Sequence, residues 1–384
     1  MVITMSIKRI SILFFSVIFL TGCVATNELE ELAIISARGI DLKEDDEIET
    51  TLNIIRFDPE AQSIYTTIKA AGKSVKQARE HAGYQIGYEI SEGQLRAEIY
   101  GRETATKGIT PLLGGLIRDA QASDTMYLVI ANSTASELME HQTDNAKSIG
   151  RYLDALLTKE IKEKAIPASN IQKYTVSAGT IGQDPVLAII DIKDDSPAIV
   201  GIGLLKGDRL VKEVSTHEGT LINIILDRLK NTEMSITVPL APFESYIDKE
   251  LMHEHYASTE EVTIQYLVNK GKGKIKVKNV KNLTFKTEIQ LDIDVRGLSK
   301  PVSLKNKNAI KLLEKEMEKK LTDQYENLFK ETQEANIDPF GFGKFYRANR
   351  QVAKLTDNEW RKLYPNISVD FHVDVDILQA GTIQ

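Results

Sequence analysis

Few side chains in this sequence combine the types and spacing that a chemical site requires. Ala71-Gly72-Lys73-Ser74 has the ending of a phosphate-binding loop, but position 67, where that loop needs glycine, is Thr67. We interpret the stretch as a strand-to-helix turn in which Ser74 caps the helix. His253-Glu254-His255 is the main histidine cluster, and on a strand its two imidazoles would hold a metal only with a third ligand. An exposed polar segment is the alternative interpretation of that cluster.

The only cysteine ends a segment with the parts of a secretion signal. Lys8-Arg9 precedes an apolar run, Ile10 to Leu20, that is shorter than the ~20 residues a membrane-spanning helix needs. The run leads into Leu20-Thr21-Gly22-Cys23, the lipobox pattern of bacterial lipoproteins. Because diacylglycerol attaches through a thioether, the pattern predicts that 1–22 is a removed signal peptide and that Cys23 is lipidated. The alternative is an ordinary cleaved signal with an incidental cysteine.

Composition and missing motifs narrow the function classes. The chain has 384 residues and a formal net charge of −7, so we expect no nucleic-acid partner. Beyond Cys23 there is no cysteine for a disulfide, a thiolate metal site or a thiol nucleophile. Neither Gly-x-Ser-x-Gly nor His-Glu-x-x-His occurs. We therefore predict a protein that is not an enzyme, with no metal and no cofactor apart from the covalent lipid on Cys23.

A local basic run offers a candidate contact surface. Between Lys270 and Lys278, strand alternation would place Lys274, Lys276 and Lys278 on one face, with apolar residues on the other. One interpretation is a solvated strand face beside a flexible hairpin. The other is contact with anionic lipid headgroups or with an acidic partner. The pattern alone does not decide between them.

The order of predicted elements indicates an α+β fold with mixed or antiparallel sheets and three domains. Strands occur in runs, and the longest helix, about 308–334, carries an apolar stripe at helical spacing near the C-terminal end. Asp194-Asp195-Ser196-Pro197 has the charge and proline of a linker. The predicted organisation is a signal peptide (1–22), a lipidated tether (23–31), an N-terminal α+β region that could divide into two subdomains (32–193), a linker (194–200) and a C-terminal α+β domain (201–384).

Four stretches, in order, resemble the Ger(x)C family, the lipoprotein C subunits of nutrient germinant receptors in endospore-forming bacteria. The stretches are the lipobox with Glu28–Ile34 and Gly39-Ile40-Asp41, Pro111–Asp119, Gly201–Val211, and Asp338-Pro339-Phe340-Gly341-Phe342-Gly343 with Trp360. Two departures occur. Val24-Ala25 stands where the family usually has Trp-Asp, and Arg38 replaces a small hydrophobic residue.

The resemblance implies a receptor subunit rather than a catalyst. It implies a three-domain α+β body that is lipid-anchored on the outer face of the inner spore membrane. It also implies partnership with two integral membrane subunits, A and B, in a receptor whose assembly and signalling start germination. The nutrient pocket is generally attributed to a partner subunit, so the resemblance assigns no ligand residues to this chain.

The hexapeptide Asp338–Gly343 also has a physical interpretation. Pro339 would stop the long helix, and the two glycines would permit unusual backbone angles. Phe340 and Phe342 would either pack under a sheet, as in a structural turn, or project toward a partner. We favour the structural turn and keep the partner contact as the alternative.

Two further function classes were weighed. A solute-binding lipoprotein of a transporter should show two alternating βαβ lobes, and this chain shows runs of strands instead. A lipoprotein enzyme acting on the cell wall would need the catalytic clusters that the sequence lacks.

Overall fold

The described chain forms two sheets with helices packed against them. The computed structural model describes residues 32–57, 64–118, 123–141, 148–163, 165–248, 260–349, 352 and 354–380. The strands are β1 (Leu32–Leu42), β2 (Ile48–Arg56), β3 (Tyr65–Gly72), β4 (Glu89–Ser91), β5 (Ala97–Gly101), β6 (Tyr127–Ala131), β7 (Val186–Lys193), β8 (Ser196–Lys206), β9 (Arg209–Val214), β10 (Thr232–Pro239), β11 (Glu261–Asn279), β12 (Thr284–Leu298) and β13 (Ser368–Ala380). The α-helices are α1 (Val75–Gly83), α2 (Arg102–Lys107), α3 (Thr110–Leu113), α4 (Ala135–Glu140), α5 (Ile149–Lys162), α6 (Ile171–Gly179), α7 (Thr216–Leu226), α8 (Lys307–Ala335), α9 (Phe342–Arg347) and α10 (Asp357–Leu363). Of the helices in these ranges, none has the length and hydropathy to cross a bilayer.

The first sheet has the order β3-β2-β1-β5-β6-β7-β8-β9, with β4 paired to β1. Its centre is parallel, because β1, β5, β6 and β7 run in one direction. Leu128-Val129-Ile130-Ala131 in β6 is buried throughout, as expected for a strand covered on both faces. Antiparallel strands flank this centre on both sides. We call the end at which the four parallel strands begin the amino end of the sheet.

The segment predicted as a linker is a hairpin turn inside this sheet. Asp194 and Asp195 have φ values of 46° and 59° and connect β7 directly to β8, where Lys193 pairs with Ser196. A two-residue turn needs positive φ, and aspartate adopts it more readily than most residues. The linker prediction for 194–200 is therefore wrong: the charges and proline belong to a tight turn and a strand start. The first sheet continues through Val214.

The second sheet has the order β10-β11-β12-β13 and carries the long helix α8 on one face. A stripe of α8 is buried against it, formed by Leu313, Met317, Leu321, Tyr325 and Leu328. The backbone N–H groups of Val375 and Ile377 in β13 donate to the carboxylates of Glu318 and Glu314, at 3.1 Å each. Two glutamates one helical turn apart thus supply hydrogen-bond acceptors for two backbone N–H groups of an edge strand. The predicted α+β class with mixed sheets and a long C-terminal helix is confirmed.

Candidate functional site

The sequence motif after α8 is a turn built around one carboxylate. Asn336 ends the helix in the left-handed conformation, with φ 53°. The two carboxylate oxygens of Asp338 then accept the backbone N–H groups of Gly341, Phe342 and Gly343 at 2.8, 3.0 and 2.9 Å. One of them also accepts the indole N–H of Trp360 at 3.1 Å. Asp338 therefore fixes both the start of α9 and the position of α10.

This turn is joined to the first sheet by a buried ion pair. Asp184, two residues before β7, makes two hydrogen bonds with the backbone of Asp338. The Asp184 N–H donates to the Asp338 carbonyl at 2.8 Å, and the Asp184 side-chain Oδ2 accepts the Asp338 N–H at 2.7 Å. Arg361 donates to both oxygens of Asp184 at 2.6 Å each. Gly207 N–H donates to the same carboxylate at 3.0 Å. We call Asp184, Asp338 and Arg361 the junction triad, because they connect the two sheets.

The junction also requires close backbone approach. A Cβ on Gly182 would lie 2.3 Å from Gly343 Cα, and a Cβ on Gly343 would lie 2.5 Å from Trp360 Cε2. Lys344 N–H donates to the Gly182 carbonyl at 3.1 Å. Neither glycine can gain a side chain without moving backbone or the Trp360 ring. The last glycine of the hexapeptide therefore matters for packing between the sheets.

Phe340 and Phe342 point into the protein. Both rings are buried, and Phe342 makes edge contacts with Phe285 at 5.4 Å and Phe329 at 5.5 Å between centroids. Aromatic pairs at this separation add to the stabilisation from area burial. The structural turn is the alternative that this burial supports. Because the rings are covered, we remove Phe340 and Phe342 from the set of candidate partner contacts.

The junction triad holds charges in a dry environment. Burial raises the pKa of Asp338 to about 7, and the negative charge of Asp184 adds to this against the three backbone N–H donors. Burial acts to lower the pKa of Arg361, but the hydrogen bonds and charge of Asp184 more than offset it and hold that pKa above its ordinary value. The arginine is therefore a permanent cation in this contact, whereas Asp338 can change its charge.

We predict that stability falls as the pH rises toward neutrality because of Asp338. Its pKa is raised from 3.8 to about 7 on folding, so the folded state binds this proton more tightly than the unfolded state. The stabilisation is complete below about pH 4 and is lost as the pH rises through about 7. Urea unfolding across this range should show the decline in the wild-type chain. Asp338→Asn should be less stable overall and should lack this component, so an equal decline in both chains would contradict the prediction.

The predicted lysine face exists, but its charge is partly neutralised. Lys274 and Lys276 lie on one side of β11, and Ile275 between them is buried, whereas Lys278 falls at a bulge between Val277 and Asn279. Lys276 forms an ion pair with Glu288 on β12, which also contacts Lys286 at 3.3 Å. A groove of about 720 Å³ beside Lys274 is lined by both signs of charge, including Lys272, Arg228, Glu288, His372 and Asp374. Neither interpretation of the run is decided by this arrangement.

Arg38, a departure from the family pattern, is a buried structural cation. Its guanidinium donates to Glu98 at 3.0 and 2.5 Å and to Glu92 at 3.0 Å. The Tyr100 hydroxyl donates to Glu98 at 2.5 Å. Burial raises the pKa of Glu98, and the charge of Arg38 opposes that rise. These partners explain how β1 accommodates an arginine in its buried centre.

Asp41, the end of the Gly-Ile-Asp stretch, is a helix cap. Its carboxylate accepts the N–H groups of Ala135 and Ser136 at 2.9 Å each, at the first turn of α4. A Cβ on Gly101 would lie 2.0 Å from Asp41 Oδ1, so glycine is needed beside it. Similarly, Ser74 accepts the Gln77 N–H at the start of α1, as expected for a strand-to-helix turn. These motifs position helices against the first sheet.

Two of the sequence candidates lie outside the described residues: Cys23 and the cluster His253-Glu254-His255. Within the described ranges, no group of three or more His, Cys, Asp or Glu side chains is arranged to hold a metal ion. The functional residue that sequence reasoning missed is Asp184. The other two members of the triad, Asp338 and Arg361, are 154 and 177 positions away along the chain, so no local pattern identifies Asp184.

Two family models match the chain. One is described as the spore germination protein N-terminal domain and covers residues 25–192, and the other, spore germination B3/GerAC like, C-terminal, covers 200–381. The boundary between the two models falls at the β7–β8 hairpin. The second model therefore includes most of β8 and all of β9, and both of these strands belong to the first sheet.

Similar proteins extend over nearly the whole chain. Spore germination protein GerQC of Bacillus cereus is 23% identical over 96% of this chain and 97% of its own length. Spore germination protein KC of Bacillus subtilis strain 168 is 23% identical over 96% and 95%. The crystal structure of the GerBC protein superposes with a TM-score of 0.53 at 15% identity, covering 89% of this chain and 96% of that one. At this identity the structural likeness concerns the fold alone.

Proposed function

Because the chain belongs to the GerAC-like family of spore germination proteins, we propose that it is the lipid-anchored C subunit of a nutrient germinant receptor. The observation that carries the proposal is the match of both family models, which together extend from residue 25 to residue 381. The lipobox supplies the anchor: Cys23 carries a thioether-linked diacylglycerol and holds the body on the outer face of the inner spore membrane. Two integral membrane subunits, A and B, are the proposed partners.

In this role the body presents surfaces and performs no chemistry on a substrate. The triad and the two facing glycines join the sheets through buried contacts rather than through a flexible linker. A rigid connection supports a subunit that positions its membrane partners or relays their changes, since buried packing transmits displacement. A solute-binding lipoprotein would need a cleft between two alternating lobes. The described topology has runs of antiparallel strands around one parallel centre instead.

The germination response of spores that lack this chain tests the proposal. We expect such spores to lose the response to the nutrients recognised by one receptor. They should still respond to nutrients sensed by other receptors and to a trigger that bypasses receptors. Restoring the wild-type chain should restore the lost response. A normal response to every nutrient class, combined with defective uptake of one solute, would replace the proposal with the transporter alternative.

A further inference from the structure

Exposed apolar side chains gather at one end of the first sheet. Five lie at the amino end: Phe57 (43% exposed), Ile64 (53%), Val176 (57%), Leu226 (36%) and Phe345 (40%). The other exposed large apolar side chains of the described residues are Tyr84, Ile117, Val211 and Leu378.

Two of the five lie beside the start of β1. Arg56 pairs with Ala33, the second residue of β1, so Phe57 follows at the level of Leu32. The Ile64 carbonyl accepts the Arg56 N–H at 2.9 Å, which places Ile64 at the same level. Leu32 is also the point at which the described chain leaves the sheet toward Cys23.

The other three share one groove at the start of β7. Phe345 lies on α9, whose Gly343 contacts Gly182, two residues before Asp184. Val176 on α6 and Leu226 at the end of α7 line the same groove of about 160 Å³ together with Phe345. β1 and β7 are three strand spacings apart, about 14 Å, and the start of β7 is level with Ala37, about 17 Å along β1 from Leu32. The groove and Leu32 therefore lie at the same end of the sheet but are offset along the strands.

Positive charges surround these apolar side chains. Lys173 and Lys344 line the groove, and both are exposed. Further exposed basic residues at this end are Arg96 before β5, Lys206 before the turn that contacts Asp184, and Arg347 at the end of α9. Exposed acidic residues at the same end are Glu89, Asp124 and Asp227. The sequence adds Asp58 and Glu60 between Phe57 and Ile64, and Glu28, Glu30 and Glu31 in the tether. The basic excess is therefore confined to the groove, where Lys173, Lys344 and Arg347 outnumber the exposed Asp227. An apolar groove with a basic rim is complementary to an anionic bilayer interface.

The tether has the right origin and length for such a contact. Eight residues, 24–31, separate Cys23 from Leu32, and fully extended they span at most about 28 Å. A lipid on Cys23 would therefore enter the bilayer near the amino end rather than near the far end of either sheet.

We propose that the amino end of the first sheet docks directly on an anionic membrane surface, with Phe345, Val176 and Leu226 in the headgroup region and the basic side chains on lipid phosphates. The inference rests on the proposed function in that the lipid on Cys23 brings this end to the membrane. Lipid and protein surface then act together, and the second contact fixes the orientation of the body.

Vesicle binding of the unlipidated body tests the docking surface. A chain that begins at residue 24 keeps both sheets and their cores, and it should bind phosphatidylglycerol–phosphatidylcholine vesicles more strongly than phosphatidylcholine vesicles, with salt weakening the difference. Phe345→Glu should reduce binding about tenfold, since it removes an apolar contact and adds a repelled charge. The matched control is Leu378→Glu. Leu378 is similarly exposed but lies ten residues along β13 from Ser368, a distance of roughly 30 Å. Ser368 contacts the β11–β12 turn, and Tyr346, the neighbour of Phe345, contacts the same turn, so Leu378 is far from Phe345. It should leave binding unchanged.

The outcomes separate this inference from the proposed function. Equal effects of Phe345→Glu and Leu378→Glu, or no preference for anionic vesicles, would overturn the docking proposal even if Cys23 is lipidated. Loss of receptor partners in Phe345→Glu without any vesicle binding by the wild-type body would assign the surface to a protein partner and also overturn it. Vesicle binding by the body that begins at residue 24, together with an unlipidated Cys23 in the protein isolated from spore membranes, would support docking and remove the lipid-anchor part of the proposed function.

Discussion

Asp184→Ala should destabilise the folded chain by about 3–5 kcal/mol, the cost of leaving one partner of a buried ion pair without the other. Arg361 would lose both charge-assisted hydrogen bonds, and Asp338 N–H and Gly207 N–H would lose their acceptor. Urea unfolding at a fixed pH, followed by circular dichroism, measures the change. If the variant does not accumulate as folded protein, Asp184→Asn gives a measurable version, because the amide keeps one oxygen acceptor.

The matched control is Asp357→Ala. Asp357 is the other carboxylate that contacts Arg361, at 3.3 Å, but it is exposed and one helical turn away on α10. An exposed pair of this kind contributes about 0–1 kcal/mol. Similar losses for Asp184→Ala and Asp357→Ala would show that burial at the junction does not determine its strength. That result would contradict the role given to the junction triad.

Cys23→Ala should abolish lipidation completely and leave an unprocessed precursor. No other cysteine exists to accept the thioether. Loss of two acyl chains removes roughly 0.8 kcal/mol for each buried CH₂ group, so any membrane retention that is left should depend on the uncleaved apolar run Ile10 to Leu20. Labelled fatty acid incorporation and fractionation of spore membranes measure the two effects.

The control moves the thiol without restoring the lipobox. Cys23→Ala combined with Thr26→Cys contains one cysteine three residues later, outside the Leu-Thr-Gly-Cys pattern. It should remain unlipidated, because the pattern and not the thiol alone selects the site. Normal labelling of either variant would contradict the assignment of Cys23.

The elements that follow from local periodicity were predictable. The alternation of apolar and polar residues predicts strands at Ile48–Phe57 and Ile367–Leu378, which agree with β2 and β13 to within about two residues. The apolar stripe predicts α8 almost to its ends. The Ser74 cap was also a local signal, and the structure has it. The alternation at Lys274–Lys276 is present as well, but the bulge at Lys278 does not follow from it. In these segments the burial pattern and the sequence pattern have the same period.

Other features depend on contacts that no local pattern records. Thr110-Pro111 followed by spaced leucines predicts a helix that runs to Asp119. In the structure it stops at Leu113, and only a short 3₁₀ turn, Leu116–Arg118, follows the glycine pair at 114–115. Two glycines lower helix propensity by about 2 kcal/mol, and within the described part of the chain nothing lies within 4 Å of a Cβ built on Gly115. The acidic turn Asp194-Asp195 carried the composition of a linker although its backbone is a hairpin.

The candidate site was predicted only in part. Asp338–Gly343 was recognisable as a turn, but its contact with Asp184 and Arg361 depends on tertiary structure. Arg38 was visible as a departure, yet of the two glutamates that accommodate it, Glu98 lies on β5 and Glu92 in the connection between β4 and β5. Identity as a spore germination protein came from motifs spread over the chain, and the family models confirm it.

The most direct test of the central claim is the composition of the complex that contains this chain. The full-length protein would be isolated from spore inner membranes in mild detergent and its companions identified by mass spectrometry. We predict two multi-span membrane subunits in constant ratio to the chain, both lost in Cys23→Ala. Recovery of a permease with an ATPase, or of the chain without membrane subunits, would contradict the assignment as a germinant receptor subunit.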